Sequence, residues 1–192
     1  MNKLNVDKKI IGFDMDGVIL NNSKTKIELA RKLGFNLELH HTPFEIMRTM
    51  LPQVVLEELQ KMLYFTHEIA VKTPLIKGAR NILMELSQKN IPYYLISRRK
   101  LPEIAIKTLR QRRVWPKYFN DNNSYFVDRP EDKDSQACKL GITHYIDDEL
   151  RNIDALVSVP NKYLFDPFNV FKDAKHYTRI KSWQEFNTHI DL

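Results

Sequence analysis

Two pairs of acidic residues are the part of the sequence best suited to chemistry. Asp14 and Asp16 follow a short apolar run near the amino terminus, and Asp147 and Asp148 close another such run late in the chain. Brought together in a partly dry cleft, the two pairs would repel each other strongly unless a cation lay between them. Because the pairs offer only oxygen ligands, and the chain has no suitable histidine or cysteine cluster, the pattern favours Mg²⁺.

A hydroxyl and an ammonium group complete this set. Ser97 ends the apolar run 92–97, and Lys133 follows Pro130-Glu131-Asp132 in the first turn of a predicted helix. A cation at that end of a helix opposes the helix dipole unless it faces carboxylates or phosphate. Each residue alone has an ordinary explanation as a turn, a helix cap or a surface charge. Their shared position at strand ends favours a common site instead, and magnesium pairs readily with a substrate phosphate.

The elements that would position these residues alternate along the chain. Apolar runs predict short strands at residues 10–13, 92–97, 124–127, 143–147 and 162–166, and helical periodicity marks residues 77–90, 101–113 and 131–141. Mostly apolar strands alternating with helices indicate an α/β fold, a three-layer Rossmann-like parallel sheet covered on both faces. The carboxyl ends of parallel strands share one edge, where ligands bind. The acidic pairs, Ser97 and Lys133 should therefore converge.

Residues 21–72 depart from this alternation, because they contain no convincing strand and several helical stretches, including 53–70. We interpret them as a small helical cap inserted after the first strand, with residues 1–20 and 73–192 forming the core domain. The tail from residue 160 onwards carries no motif that assigns it a role.

Composition excludes several classes of protein. The single cysteine, Cys138, rules out an intramolecular disulfide and a multi-cysteine zinc site. No segment approaches the roughly 20 apolar residues that cross a bilayer, and "IIGF" is too short for a signal peptide. A cytoplasmic protein without membrane association is the simplest expectation. The net charge of +6 is compatible with anionic partners and equally with a solvated basic surface.

Four motifs, in this order, resemble those of the haloacid dehalogenase superfamily of aspartate-nucleophile phosphohydrolases. They are "IIGFDMDGVIL", "YYLIS" with Ser97, the lysine Lys133, and "HYIDDE". The resemblance covers most of the chain outside the insertion. A strand ending in Ser-Arg and another ending in Asp-Asp also resemble the deoxyribonucleotidase-like branch of that superfamily.

The resemblance implies a role for each acidic residue. Asp14 would be the nucleophile that forms an aspartyl-phosphate. Asp16 would protonate the leaving oxygen and then activate water, for which its pKa should be raised by the neighbouring carboxylates. Mg²⁺ would be held by the Asp14 carboxylate, the Asp16 backbone carbonyl and an aspartate of the Asp147–Asp148 pair, with the direct ligand left open.

The phosphate group would be bound by the remaining residues of the motifs. Ser97 would donate a hydrogen bond to a phosphate oxygen, and Lys133 would neutralise both nucleophile and phosphate. Arg98, which follows Ser97, is a further candidate for contact with the substrate, as is its neighbour Arg99. In the cap, the candidates for recognising the leaving group of the substrate are His40, His41, Arg48 and His67. Exposed, solvated positions explain each of these residues equally simply.

The predicted function is Mg²⁺-dependent hydrolysis of a small phosphorylated metabolite. A phosphomutase or phosphotransferase of the same fold is the first alternative, since the sequence does not separate the two. A non-catalytic phosphate-binding module, such as a response-regulator receiver, is disfavoured because its acidic pair precedes its phosphorylated aspartate. Nucleic-acid binding through the basic clusters at 98–100 and 110–119 is disfavoured because no recognisable binding motif accompanies them.

Overall fold

The computed structural model describes residues 9–192, so the first eight residues of the predicted core domain lie outside the described part. Within it, six parallel strands form one sheet in the order β3-β2-β1-β4-β5-β6. The strands are β1 (Ile11–Phe13), β2 (Tyr93–Ser97), β3 (Ser124–Phe126), β4 (His144–Asp147), β5 (Asn161–Phe165) and β6 (Thr178–Ile180). The strand order reverses at β1 and β4, which is where parallel sheets open a crevice for ligands.

Helices lie on both faces of this sheet, which gives the three predicted layers. In chain order they are α1 (Ser23–Lys32), α2 (Phe44–Met50), α3 (Gln53–Phe65), α4 (His67–Ala70), α5 (Ala79–Gln88), α6 (Pro102–Gln111), α7 (Pro130–Leu140), α8 (Leu150–Ala155) and α9 (Trp183–Ile190). Phe13 and Leu95 share one core cluster with residues of α5, α6 and α9. Ile96 and Tyr145 point to the opposite face, where they pack with Ala137 of α7.

The inserted segment is helical, as expected, and builds a core of its own. Helices α1 to α4 and a 3₁₀ turn (Leu39–His41) enclose a cluster that includes Leu29, Met47, Leu59 and Leu63 and is separate from the clusters on the sheet. The predicted stretch 53–70 is two helices, because the backbone of Thr66 is extended between α3 and α4.

Two adjacent backbone segments, one entering and one leaving the insertion, connect it to the sheet. Leu20 forms an antiparallel bridge with Leu75, and the Asn21 amide donates to the Pro74 carbonyl at 2.8 Å. We refer to residues 21–72 as the cap and to the remaining described residues as the core.

The carboxyl-terminal tail extends the sheet beyond the prediction. It supplies β6 and α9, and Trp183 packs its ring 5.5 Å from that of Phe13. The short edge strand has one buried residue, Ile180, so its sequence lacks the apolar run that marks the inner strands. Among residues 9–192 no helix is long and apolar enough to cross a membrane.

Candidate active site

The first acidic pair lies on a tightly anchored turn after β1. The Asp14 amide continues the ladder by donating to the Ile146 carbonyl at 2.9 Å, and Met15 on the other side of Asp14 is fully buried. Gly17 then turns the chain with φ +79°, a conformation that favours glycine. Apolar burial on either side of the carboxylates therefore holds them at the carboxyl edge of the sheet.

Lys133 links the two acidic pairs. Its side chain is fully buried, and its Nζ lies 2.6 Å from Asp14 Oδ1 and 2.7 Å from Asp147 Oδ2. Burial opposes the charged form, but the two carboxylates outweigh burial and raise the pKa of Lys133 well above its usual value. The ammonium group therefore stays charged and partly neutralises the acidic cluster.

The two aspartates of the second pair differ in how they are held. Asp147 Oδ2 accepts from Lys133, and Oδ1 accepts from Asn152 Nδ2 at 2.9 Å and from the Glu149 amide at 3.0 Å. The Asp148 carboxylate accepts no hydrogen bond from any of residues 9–192, and it lies against Gly17. Burial, followed by the charges of Glu149 and Asp14, raises the pKa of Asp148 well above its usual value.

Three carboxylates of the cluster could hold one cation. Asp14, Asp147 and Asp148 each offer an oxygen, and these atoms lie within 4.8 Å of one another. Burial raises the pKa of Asp14 to about 7, and the charges of Asp147 and Asp16 add to this shift, whereas Lys133 opposes it. A crowded set of carboxylates in which the pKa values of Asp14 and Asp148 are raised is an arrangement that a hard cation would relieve.

Asp16 differs from the expectation drawn from the sequence, because its pKa is lowered. Burial acts to raise that pKa, but the charge of Arg99 and hydrogen bonds from Arg99 and Asn22 outweigh it. Arg99 donates from Nε to Asp16 Oδ2 at 2.6 Å and from Nη2 to Oδ1 at 2.8 Å, while Asn22 Nδ2 donates to Oδ1 at 2.7 Å. The prediction of a raised pKa is therefore wrong for this arrangement, in which Asp16 is ionised.

Arg99 also connects the core to the cap. Its guanidinium carbon lies 4.2 Å from the centre of the Tyr64 ring on α3, and Nη1 donates to the Tyr64 carbonyl at 3.4 Å. Arg98 and Arg99 were both candidates for substrate contact, yet Arg99 is 6% exposed and Arg98 is half-buried, 3.7 Å from Glu149. Arg99 contacts a carboxylate from a distant part of the chain and a ring from the cap. The residues next to it in the sequence therefore could not predict either contact.

A cavity of about 560 Å³ lies between cap and core over these groups. Its core wall includes Asp14, Asp16, Ser97, Arg98, Arg99, Lys133 and Asp148, and its cap wall includes Lys26, Phe44, Met47 and Tyr64. Ser97, at the end of β2, is 1% exposed. The four cap residues proposed from sequence to recognise the leaving group, His40, His41, Arg48 and His67, do not line it. Sequence reasoning missed three residues of the site because no motif surrounds them: Asn22, Lys26 and Asn152.

Comparison with known proteins identifies the fold but no close relative. No model of a known protein family matches the sequence, and no curated protein sequence matches it significantly. Solved structures do match over nearly the whole chain. A HAD family hydrolase from Deinococcus radiodurans R1, solved with bound phosphate and sodium, is 16% identical with a TM-score of 0.62, covering 97% of this chain and 96% of that one.

Two further structures agree with this match. A conserved haloacid dehalogenase-like protein from Agrobacterium tumefaciens is 17% identical with a TM-score of 0.64, covering 95% of this chain and 97% of that one. A protein proposed to be a beta-phosphoglucomutase, from Thermotoga maritima, is 18% identical with a TM-score of 0.61, covering 96% and 99%. Such low identities establish architecture and not activity. The chain therefore has the haloacid dehalogenase-like α/β fold.

Proposed function

We propose that the protein is a Mg²⁺-dependent hydrolase of small phosphomonoesters that works through an aspartyl-phosphate intermediate. The observation that carries this proposal is the buried Asp14–Lys133–Asp147 cluster at the switch point of the sheet, beneath a cleft closed by the cap. The fold shared with HAD family hydrolases supports a phosphoryl-transfer reaction. The same resemblance supports placing the chain in the haloacid dehalogenase superfamily.

The acidic cluster fits a magnesium ion, since its donors are all oxygens and the Asp148 carboxylate accepts no hydrogen bond from residues 9–192. The Asp14 and Asp148 carboxylates and the Asp16 carbonyl would hold the ion. We assign Asp148 as the direct ligand of the second pair because Asp147 already accepts from Lys133, Asn152 and the Glu149 amide. The bound ion would neutralise charge on the phosphoryl oxygens.

The first step transfers the phosphoryl group to the protein. A carboxylate oxygen of Asp14 attacks phosphorus, a new P–O bond forms, and the ester P–O bond breaks. The departing alkoxide takes a proton from Asp16. Lys133 and Ser97 hold the phosphoryl oxygens in line, and Lys133 reduces the repulsion between the two anions.

The second step releases phosphate. Asp16 accepts a proton from water as the water oxygen attacks the aspartyl-phosphate, and the Asp14 carboxylate is regenerated. The ionised Asp16 of this structure is in the protonation state that this step requires. It can act as the acid of the first step only after the Arg99 guanidinium has moved away, because two charge-assisted hydrogen bonds stabilise the carboxylate.

The proposal predicts that Asp14→Asn abolishes Mg²⁺-dependent phosphate release. We expect a loss of at least about a thousandfold in kcat, because an amide oxygen is a poor nucleophile. The measurement is phosphate release from a panel of nucleotides, sugar phosphates and phosphorylated head groups, with and without Mg²⁺. Product analysis for an isomeric phosphate ester separates hydrolysis from mutase activity.

Asp121→Asn is a matched control, because it removes the same charge from an exposed position outside the cleft. It should hydrolyse the panel as the wild type does. Unchanged turnover in Asp14→Asn would exclude Asp14 as the nucleophile. A wild-type protein that releases phosphate from no ester in the panel would refute the proposed activity.

A further inference from the structure

The cap contains one buried lysine whose ammonium group contacts no carboxylate directly. Lys26, on α1, is 8% exposed, and its Nζ donates to the Thr42 carbonyl at 2.9 Å. The ion pairs of the site join Arg99 to Asp16 and Lys133 to two aspartates, and Lys26 takes part in no ion pair among residues 9–192. Lys26 therefore differs from the other buried cations of the site.

This arrangement is unfavourable for the folded protein by itself. An ammonium group withdrawn from water loses hydration, and a nearby counter-charge compensates for that loss. A single neutral carbonyl satisfies one of its three N–H donors, which leaves two for another partner. A further acceptor, preferably an anion, would reduce the cost of this burial.

The position of Lys26 indicates where that acceptor would be. Lys26 lines the catalytic cleft on the cap side, together with Asp14, Asp16 and Asp148 on the core side. Asp16 is already paired with Arg99, and under the proposed function Asp148 is committed to the metal ion. The two glutamates of the cleft also have partners, since Glu149 is paired with Arg151 and Glu57 accepts from Gln53. With a divalent cation bound, Lys26 would face a further positive charge unless an anion entered between them.

A second cavity, of about 310 Å³, also borders Lys26, but it offers no better partner. Its other charged walls are Lys77, Lys181 and Asp148. Two of these three groups are cations, which would attract an anion as Lys26 does, and the third is the proposed metal ligand. The cavity contains neither Asp14 nor Lys133, so the phosphoryl group that Asp14 accepts would bind in the catalytic cleft and not here.

We propose that Lys26 is a substrate-contacting residue, which donates from the cap to an oxygen of the transferred phosphoryl group opposite Lys133. This inference rests on the proposed function and deepens it. It assigns the cap a direct part in holding the phosphate, in addition to covering it. Closure of the cap would then complete the phosphate site, since Lys26 reaches it only from α1.

The test is the affinity for inorganic phosphate in the presence of Mg²⁺, measured by isothermal titration calorimetry. Replacing Lys26 by methionine keeps the length of the side chain and removes its charge. We expect Lys26→Met to weaken phosphate binding by about 10-fold to 100-fold, the usual value of a charge-assisted hydrogen bond. Lys26→Arg should restore part of the affinity. Mg²⁺ affinity measured without phosphate should not weaken.

Lys24→Met is the matched control, because Lys24 is an exposed cation on the same helix that lines neither cavity. It should bind phosphate as tightly as the wild type. Thermal melting of each variant checks folding, and Lys26→Gln provides a second uncharged variant if Lys26→Met does not fold.

Two results would overturn the inference. Unchanged phosphate affinity with tighter Mg²⁺ binding would show that Lys26 serves as a distant counter-charge for the acidic cluster. A wild-type protein that binds no phosphate would also contradict it. Phosphate binding that depends on Lys26, in a protein that hydrolyses no ester, would refute the proposed function alone.

Discussion

At the scale of single residues, Gly17 and Asp148 share a space that admits no extra atom. A Cβ built on Gly17 would lie 1.9 Å from Asp148 Oδ2, far inside van der Waals contact. The Asp148 carboxylate, which accepts no hydrogen bond from the described residues, owes its position to packing over this glycine. Glycine is needed here for the backbone turn and also for the place of the proposed metal ligand.

Gly17→Ala should therefore weaken Mg²⁺ binding, because the new methyl group displaces the Asp148 carboxylate. We expect a loss of about tenfold or more in Mg²⁺ affinity by calorimetric titration, in the range typical for disturbed metal sites. Asp148→Asn should lose affinity as well.

Gly34→Ala is the control that separates displacement of the Asp148 carboxylate from strain in the backbone. Gly34 also has a positive φ, of +87°, but a methyl group added there would have no atom within 4 Å of its carbon. Both alanine variants should lose about 1–2 kcal/mol of stability from the left-handed conformation. Equal Mg²⁺ affinity in the two variants would show that Asp148 is not held by Gly17.

The residues that could be predicted from sequence are those whose neighbours are set by strand order alone. Asp14, Ser97, Lys133 and the Asp147–Asp148 pair were expected at one edge, and the structure places them there. The Arg99–Asp16 pair could not be predicted in the same way. Which of two adjacent arginines turns inward depends on the cap above it, and the cap packing is not encoded in any local motif.

At the scale of elements, prediction succeeded for the five strands whose sequences contain an apolar run. The inner strands β1, β2, β4 and β5 contain short apolar runs because helices cover both their faces, and each was predicted to within one residue. The edge strand β3 was predicted equally well. The edge strand β6 was missed because it is short and largely polar. The break between α3 and α4 was missed because helical periodicity continues across Thr66 while the backbone does not.

The separate core of the cap predicts that the cap can be destabilised independently. Leu59 is fully buried in that core, and Leu59→Ala should cost about 2–5 kcal/mol through lost contacts and a residual cavity. Hydrogen exchange should accelerate in α1 and α3 while β1 and β4 keep their protection, since no residue of the cap cluster belongs to the clusters on the sheet.

Val54→Ala on the same helix is the control, because Val54 is 71% exposed and its truncation should change stability little. Faster exchange throughout the sheet in Leu59→Ala would show instead that cap and core unfold as one unit. In that case the Arg99 contacts with Tyr64 and the two connecting backbone segments would couple the cap to the core more strongly than its packing indicates.

At the scale of the whole molecule, the acidic cluster makes the stability of the metal-free protein depend on pH. Asp14 has a pKa of about 7 in the folded protein against an ordinary value of 3.8, and the pKa of Asp148 is also raised. Between these values the folded protein binds more protons than the unfolded chain does. The contribution of Asp14 to stability therefore falls as the pH rises from about 4 to about 7, and that of Asp148 falls in the same direction.

Mg²⁺ should reverse this loss, because the ion binds the carboxylates in their ionised form. We expect saturating Mg²⁺ to raise the melting temperature by roughly 5–10 °C near pH 8, from about 2.7 kcal/mol of binding energy, and by much less near pH 5, where protons compete. Differential scanning calorimetry at both pH values measures the shift. Asp148→Asn should lose most of it at the higher pH, whereas Asp121→Asn should keep it. A shift of equal size at both pH values would mean that the carboxylates are already ionised in the metal-free protein, and that Lys133 alone neutralises the cluster.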